Sequence, residues 1–170
     1  MKQIKVKVEG TAPLYISRYV ISDKKGKSVY VPEEESESVT YKNDKGIYFI
    51  PSRCFKACMV AAGSDYKMKG HKTYKKYLKS GLFILEEECI ITPQKYEIST
   101  SPVNQQGKMV VKSRPKWKNW KTEFTIQIAN EEFLDQTTIK QILETAGTYQ
   151  GVGTWRPENG RFKVTEWKVL

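Results

Sequence analysis

The stretch Trp120-Lys-Thr-Glu-Phe-Thr-Ile-Gln-Ile128 constrains the fold more than any other part of the chain. Trp120, Thr122, Phe124, Ile126 and Ile128 share one parity, and Lys121, Glu123, Thr125 and Gln127 share the other. That is the period of a strand with one buried and one wet face. Ile4, Val6 and Val8 alternate with Lys5, Lys7 and Glu9 in the same way. Two further segments carry helical periodicity instead. From Ser52 to Ala62, entered through Pro51, the residues Cys54, Phe55, Cys58, Met59 and Ala62 form one apolar stripe. From Asp135 to Ala146 the stripe is Ile139, Ile142, Leu143 and Ala146 with Leu134 before it; Asp135 or Thr137 is the cap and Gly147 lies past the end.

Leu82–Leu85, Cys89–Ile91 and Lys95–Ser99 read as short strands. Ser101–Gly107 reads as a turn and Lys108–Arg114 as the antiparallel return, stopped by Pro115. Arg161–Leu170 is the last strand, with Phe162 and Val164 expected on one face and Trp167 and Val169 on the other. The expected fold class is therefore α+β. The order strand, helix, strand pair, helix, strand is the split βαβ arrangement of a ferredoxin-like or RNA-recognition-motif-like antiparallel sheet with two helices. The chain has 170 residues, enough for one packed core and too few for two, so residues 1–170 are expected to form a single domain. Residues 22–45 are polar and lack periodicity; they read as a flexible or thumb-like excursion, with Val29, Tyr30 and Val31 as one side of a projecting hairpin.

Charge narrows the partner. The formal net charge is +10 and the pI about 9.4, which points to a polyanion. Nucleic acid fits better than a membrane, because no long apolar or basic amphipathic segment is present. The alternating start Met1-Lys-Gln-Ile-Lys-Val-Lys-Val8 has no signal-like apolar core, so a cytoplasmic protein is expected. The cysteines are odd in number and lack zinc-ligand spacing, so no metal or other cofactor is expected and Cys54 and Cys58 read as core filler.

Basic residues gather in two runs. The first holds Arg53, Lys56, Lys67, Lys69, Lys72, Lys75, Lys76 and Lys79, with His71 among them and Asp65 the one acid. The second holds Lys108, Lys112, Arg114, Lys116, Lys118 and Lys121, interleaved with Trp117 and Trp120. Lysines near a polyanion displace its counterions, and aromatic rings stack on bases. Trp120 has the parity of the core. Trp117 has the opposite parity, so it is the candidate exposed stacking residue. Acids collect elsewhere, at Glu33–Glu37, Glu86–Glu88 and around Glu131, Glu132 and Asp135, which suggests one basic face.

Between the second helix and the last strand lies Gly147-Thr-Tyr-Gln-Gly-Val-Gly-Thr-Trp-Arg-Pro-Glu-Asn-Gly-Arg-Phe162. Its glycines allow positive φ and close backbone approach, while Trp155, Arg156 and Arg161 supply stacking and charge. A purely structural reading, with an Asn159-Gly160 turn and Trp155 folded back on the core, stays open.

Three motifs carry a resemblance: Gly10-Thr-Ala-Pro-Leu14 after the first strand, Tyr48-Phe-Ile-Pro-Ser-Arg-Cys-Phe-Lys-Ala57 entering the first helix, and Gly151-Val-Gly-Thr-Trp-Arg-Pro-Glu-Asn-Gly-Arg-Phe162. Together they resemble the repeat-associated mysterious protein superfamily, which includes the backbone subunits of CRISPR effector complexes; compact phage-encoded relatives look similar. The resemblance implies a nucleic-acid-facing loop at Gly151, Gly153, Arg156, Gly160 and Arg161. It implies backbone contacts from Ser52, Arg53 and Lys56 at the first helix, and self-association along the strand. Lys5 and Lys7 stand where sequence-reading RNA-recognition motifs present aromatics, so backbone tracking is expected rather than base readout.

The expected function is thus binding of single-stranded nucleic acid with little sequence preference and no catalytic residue. The alternatives are a metal-independent endoribonuclease using His71 with neighbouring lysines, and a phage protein that mimics a CRISPR subunit and blocks complex assembly.

Overall fold

The computed structural model describes residues 1–20 and 29–170. In chain order the elements are β1 (Lys2–Gly10), β2 (Leu14–Tyr15), α1 (Pro32–Ser38), β3 (Phe49–Pro51), α2 (Ser52–Ala62), α3 (Tyr74–Gly81), β4 (Leu82–Ile84), β5 (Glu88–Ile90), β6 (Glu97–Gln105), β7 (Lys108–Trp117), β8 (Lys121–Ile128), α4 (Gln136–Thr145), a π-helical turn (Ala146–Gln150) and β9 (Phe162–Val169).

The central antiparallel sheet has the order β4-β8-β1-β9. The chain reaches β4 from β1 by way of α2, and β9 from β8 by way of α4. Each connection passes over one intervening strand, so two split βαβ units interlock. Ile4, Val6, Val8, Phe124, Ile126, Ile128 and Phe162 are buried on one face of this sheet, beneath α2 and α4. Phe55 of α2 sits at the centre, its ring 4.6 Å from Phe124 and 5.5 Å from Phe162. Gly10 makes room for Trp120: a Cβ there would lie 2.1 Å from the indole nitrogen, which donates to Ala12 O at 3.0 Å.

The opposite face of this sheet is wet and largely neutralised. Lys5 pairs with Glu123 at 3.3 Å, Lys7 with Glu166 at 2.9 Å and Lys163 with Glu9 at 3.9 Å. Each exposed pair adds little stability, but together they engage both outward lysines in the middle of β1. No aromatic of β1 or β8 points to this side. On the edge strand β4, Phe83 lies opposite Gln127 on this side and is partly exposed.

Several local expectations change. Lys7 faces Glu166 while Val8 faces Val164, so Thr165 is an extra residue in β9. This bulge resets the alternation and brings Trp167 opposite Val6, on the core face with Phe162 and Val164. The hairpin turn is only Gln106-Gly107, both at positive φ (52° and 80°), as a tight two-residue turn requires. Ser101–Gln105 accordingly belongs to β6, with Ser101 opposite Lys112 and Gln105 opposite Lys108. Pro115 does not stop β7; it lies opposite Ile98, where pairing with β2 has ended. Asp135 caps α4 by accepting from Thr138 N at 2.9 Å, but Gly147 does not end the helix. It is buried in the π-helical turn, where a Cβ would lie 2.2 Å from Phe162 O.

The stretch 22–45 also differs from its expectation, though residues 21–28 lie outside the described residues. Val29, Tyr30 and Val31 form no strand; Val31 caps α1 at its N-terminus. That helix lies on the β6/β7 hairpin. Glu35 accepts from Ser113 N at 2.8 Å and Lys112 Nζ at 3.0 Å, and Tyr30 shares a hydroxyl contact with Ser113. Acidic Glu33–Glu37 therefore packs beside the second basic run, and separation in sequence is not separation in space.

Glu37 fastens the other end of this contact. Its carboxylate accepts from Tyr96 OH at 2.7 Å, Tyr48 OH at 3.0 Å and Lys42 Nζ. Partial burial disfavours the charge, but the hydrogen bonds from Lys42, Tyr96 and Tyr48 outweigh it and hold the pKa below the ordinary 4.5. A depressed folded-state pKa stabilises the fold above the unfolded value, and that stability is lost as pH falls through the folded value. Glu37→Gln is expected to lower the melting temperature at neutral pH, with the gap to the parent protein closing below about pH 4. Thermal melts at stepped pH check this; a gap that stays constant across the range contradicts it.

Candidate nucleic-acid interface

The glycine-rich loop is laced to the segment after β1. Thr11 N donates to Arg161 O at 2.8 Å, Gly160 N to Pro13 O at 2.8 Å and Thr154 N to Tyr15 O at 2.8 Å. Gly151, Gly153 and Gly160 have φ of 70°, 83° and 74°. Their missing side chains admit the protein's own backbone: a Cβ on Gly153 would lie 2.3 Å from Tyr15 O, and one on Gly160 1.7 Å from Val152 O. The side-chain direction of Gly153 and Gly160 is thus filled by the protein itself, and Gly151 and Gly160 are buried, whereas Gly153 stays partly exposed. They fold the loop flat onto residues 11–15, and Val152 is fully buried beneath it.

What the folded loop presents is charge. A cleft of about 370 Å³ is lined by Ile16, Ser17, Tyr41, Ile50, Pro51, Arg53, Cys54, Ala57, Gly153, Thr154 and Arg156. Arg53 stands in the first turn of α2, and Arg156 comes from the loop; both are exposed. The Cys54 thiol, which lines the same cleft, is pushed up by burial against the pull of both guanidinium groups. Arg53 Nη2 donates to Tyr41 OH at 3.2 Å, which fixes its direction. The first turn of α2 has no acidic residue, and Pro51 offers no side-chain cap. Ser52 N is taken by Glu87 O at 3.0 Å, and the positive dipole end of the helix adds to the two arginines. An adjoining hollow shares Tyr41, Pro51 and Arg53 with the cleft and is lined by Ser52, Glu87 and Glu88, so the cleft is the less acidic of the two.

Trp155 is intermediate between the two readings of the sequence. Its ring is edge-on to Tyr15 at 4.9 Å and lies under the Arg114 guanidinium at 4.5 Å, yet it remains 39% exposed. Its φ of 57° is unusual for a bulky residue and is held by these contacts. Lys116 lies over the Tyr15 ring at 5.6 Å, so Arg114 and Lys116 of β7 back the loop. A second hollow, lined by Tyr15, Ser99, Ser101, Trp155, Arg156 and Asn159 among others, places Arg156 between the cleft and the hairpin.

Other candidates fall elsewhere. Trp117 is 1% exposed, donates to Pro93 O at 3.1 Å and packs on Tyr48 and Tyr96, so it is not a stacking platform. The parity inferred from β8 does not reach it, because the turn at Lys118-Asn119 separates two strands of different sheets. Lys112 is paired with Glu35 and Lys118 with Glu97, both lysines keeping substantial solvent exposure. Lys56 lies over the Phe83 ring at 5.0 Å and does not line the cleft, and neither does the exposed Arg161. Lys67, Lys69, His71, Lys72, Lys75 and Lys76 are exposed at the opposite end of α2. Cys58 is core, its thiol pushed up to about 12 by burial. Among the described residues no group of three His, Cys, Asp or Glu side chains is arranged to hold a metal ion, and no helix is long and apolar enough to cross a membrane.

Sequence reasoning missed Tyr41, Ser17 and Thr154. Tyr41 fell inside the stretch read as an excursion, and no local pattern marks it as a neighbour of Arg53. The three resemblance motifs do converge. Gly10–Leu14 holds the glycine-rich loop, and that loop meets Ile50–Ala57 across the cleft.

No protein-family model and no curated protein matches the sequence. Solved structures do match in shape. One chain in the cryo-EM structure of the Type III-B Cmr-beta bound to cognate target RNA superposes with a TM-score of 0.59 over 99% of this chain, at 12% identity. This chain spans 61% of that one. At this identity the likeness is one of fold.

Proposed function

We propose that this protein binds single-stranded RNA by its phosphate backbone, in the cleft between the N-terminus of α2 and the glycine-rich loop, as a subunit of the repeat-associated mysterious protein type. The observation that carries the reading is Arg53 and Arg156 lining one cleft at a helix N-terminus with no side-chain cap and no acid in its first turn. The fold likeness to a chain whose structure was determined with target RNA bound favours RNA over DNA. The sheet face favours backbone tracking over base readout, since β1 and β8 turn no aromatic outward and Lys5 and Lys7 are ion-paired. Binding proceeds without catalysis, and adjacent copies line one strand.

Fluorescence anisotropy with single-stranded RNA, single-stranded DNA and duplex RNA of equal length tests this. Single-stranded RNA is expected to bind tightest, with little difference between homopolymers, and log affinity is expected to fall linearly with log salt. Absence of RNA binding at low ionic strength, or equal binding of the duplex, overturns the reading.

A further inference from the structure

The first basic run does not reach the cleft beyond Arg53, and its placement points to a second contact. Residues Tyr66–Lys79 form a built element. Met68 N donates to Lys72 O at 2.8 Å, Tyr74 N to Tyr66 O at 3.0 Å and Lys75 N to Gly63 O at 3.2 Å. Tyr66 is pinned from its tip, its hydroxyl 3.1 Å from Gln141 O and 2.6 Å from Thr145 Oγ1 of α4. Leu78 is fully buried, and Tyr66 and Tyr74 pack against the core. Every lysine points the other way: Lys67, Lys69, Lys72, Lys75, Lys76 and Lys79 are all exposed.

Carboxylates engage part of the sheet and hairpin surfaces, where Lys108, Lys116 and Lys121 form no ion pair among the described residues. Lys5, Lys7 and Lys163 on the sheet, and Lys112 and Lys118 at the hairpin, are engaged by carboxylates. Among the described residues none of the six lysines of Tyr66–Lys79 forms an ion pair. Six like charges held together repel one another and bring the fold no compensating contact. An extended polyanion relieves that repulsion.

The position defines which polyanion. The lysine element adjoins the C-terminal end of α2 through Gly63, whereas the cleft lies at its N-terminal end. Eleven residues of helix separate them by about 16 Å. The solvent side of α2 between the two carries exposed Ala57 and half-buried Lys56, Val60 and Ala61, with no acidic residue. We infer that the lysine surface of Tyr66–Lys79 is a second backbone contact for the same single strand, which leaves the cleft and runs along α2. This rests on the cleft reading above, and it adds a length requirement that the cleft alone does not impose.

The test uses the full chain carrying Lys67→Gln, Lys69→Gln, Lys72→Gln and Lys76→Gln together, with oligouridylates of about four and about sixteen nucleotides. The long strand is expected to bind at least about tenfold more weakly than to the parent protein, with its salt slope reduced by about 3, near 0.7 for each phosphate no longer neutralised. The short strand is expected to bind as before. An unchanged long-strand affinity and slope overturns the inference. So does an equal loss on the short strand, which would place the lysines at the cleft. A variant that keeps RNA binding but no longer binds polyglutamate assigns the surface to an acidic protein partner and likewise overturns it. Failure of the cleft reading is separable, because it appears in the parent protein as no binding of the short strand.

Discussion

Arg53→Ala combined with Arg156→Ala is expected to weaken binding of a short single-stranded RNA about 100-fold at low salt and to reduce the salt slope by about 1.4. Both side chains are exposed, and the one hydrogen bond removed is that from Arg53 to Tyr41, so the melting temperature is expected to move by no more than about 2 °C. Each arginine alone is expected to account for part of the loss. A lysine at either position keeps the charge without the forked geometry, so Arg156→Lys is expected to retain only part of the affinity. Binding that is unchanged in the double alanine variant, with the fold intact, returns the cleft to a structural role.

The second large effect is expected on the fold of the loop. Gly160→Ala places a methyl group 1.7 Å from Val152 O at a φ of 74°. The backbone conformation alone costs about 1–3 kcal/mol for a residue with a side chain. The carbonyl must also move, and it accepts no substitute position without disturbing the buried Val152 and the hydrogen bond between Val152 N and Gly160 O at 2.9 Å. A fall in melting temperature of about 5 °C or more is expected, together with loss of RNA binding as Arg156 loses its place. Gly107→Ala is the control. Its φ is 80° but no atom lies within 4 Å of the added methyl, so it carries the conformational cost alone. Equal melting of the two variants would mean that the loop repacks around the methyl group.

These two predictions divide the loop between parts that were legible in the sequence and parts that were not. The presence of a special loop was legible, because four glycines beside a tryptophan and two arginines exceed what a turn requires. Their division of labour was not. A glycine at positive φ looks the same in sequence whether a ligand or the protein's own backbone fills the space. Only the packing against Tyr15 O and Val152 O decides between them. Arg156 and Arg161 are likewise equivalent in sequence, yet only Arg156 lines the cleft.

The periodic elements were determined by sequence alone. Alternation placed β1 and β8, and the apolar stripes placed α2 and α4, because burying one face of each element imposes its period on the chain. The same local logic failed where one residue breaks the period. Thr165 bulges out of β9 and returns Trp167 to the core, and the turn after Trp117 joins two sheets, so parity does not carry across it. Tertiary structure alone decided which charges are paired. Glu35 reaches Lys112 from 77 residues away and Glu97 reaches Lys118, while Arg53 and Arg156 meet across a cleft from 103 positions apart (156 − 53). Coulomb energy depends on distance in space, and a one-dimensional list of lysines contains none of it.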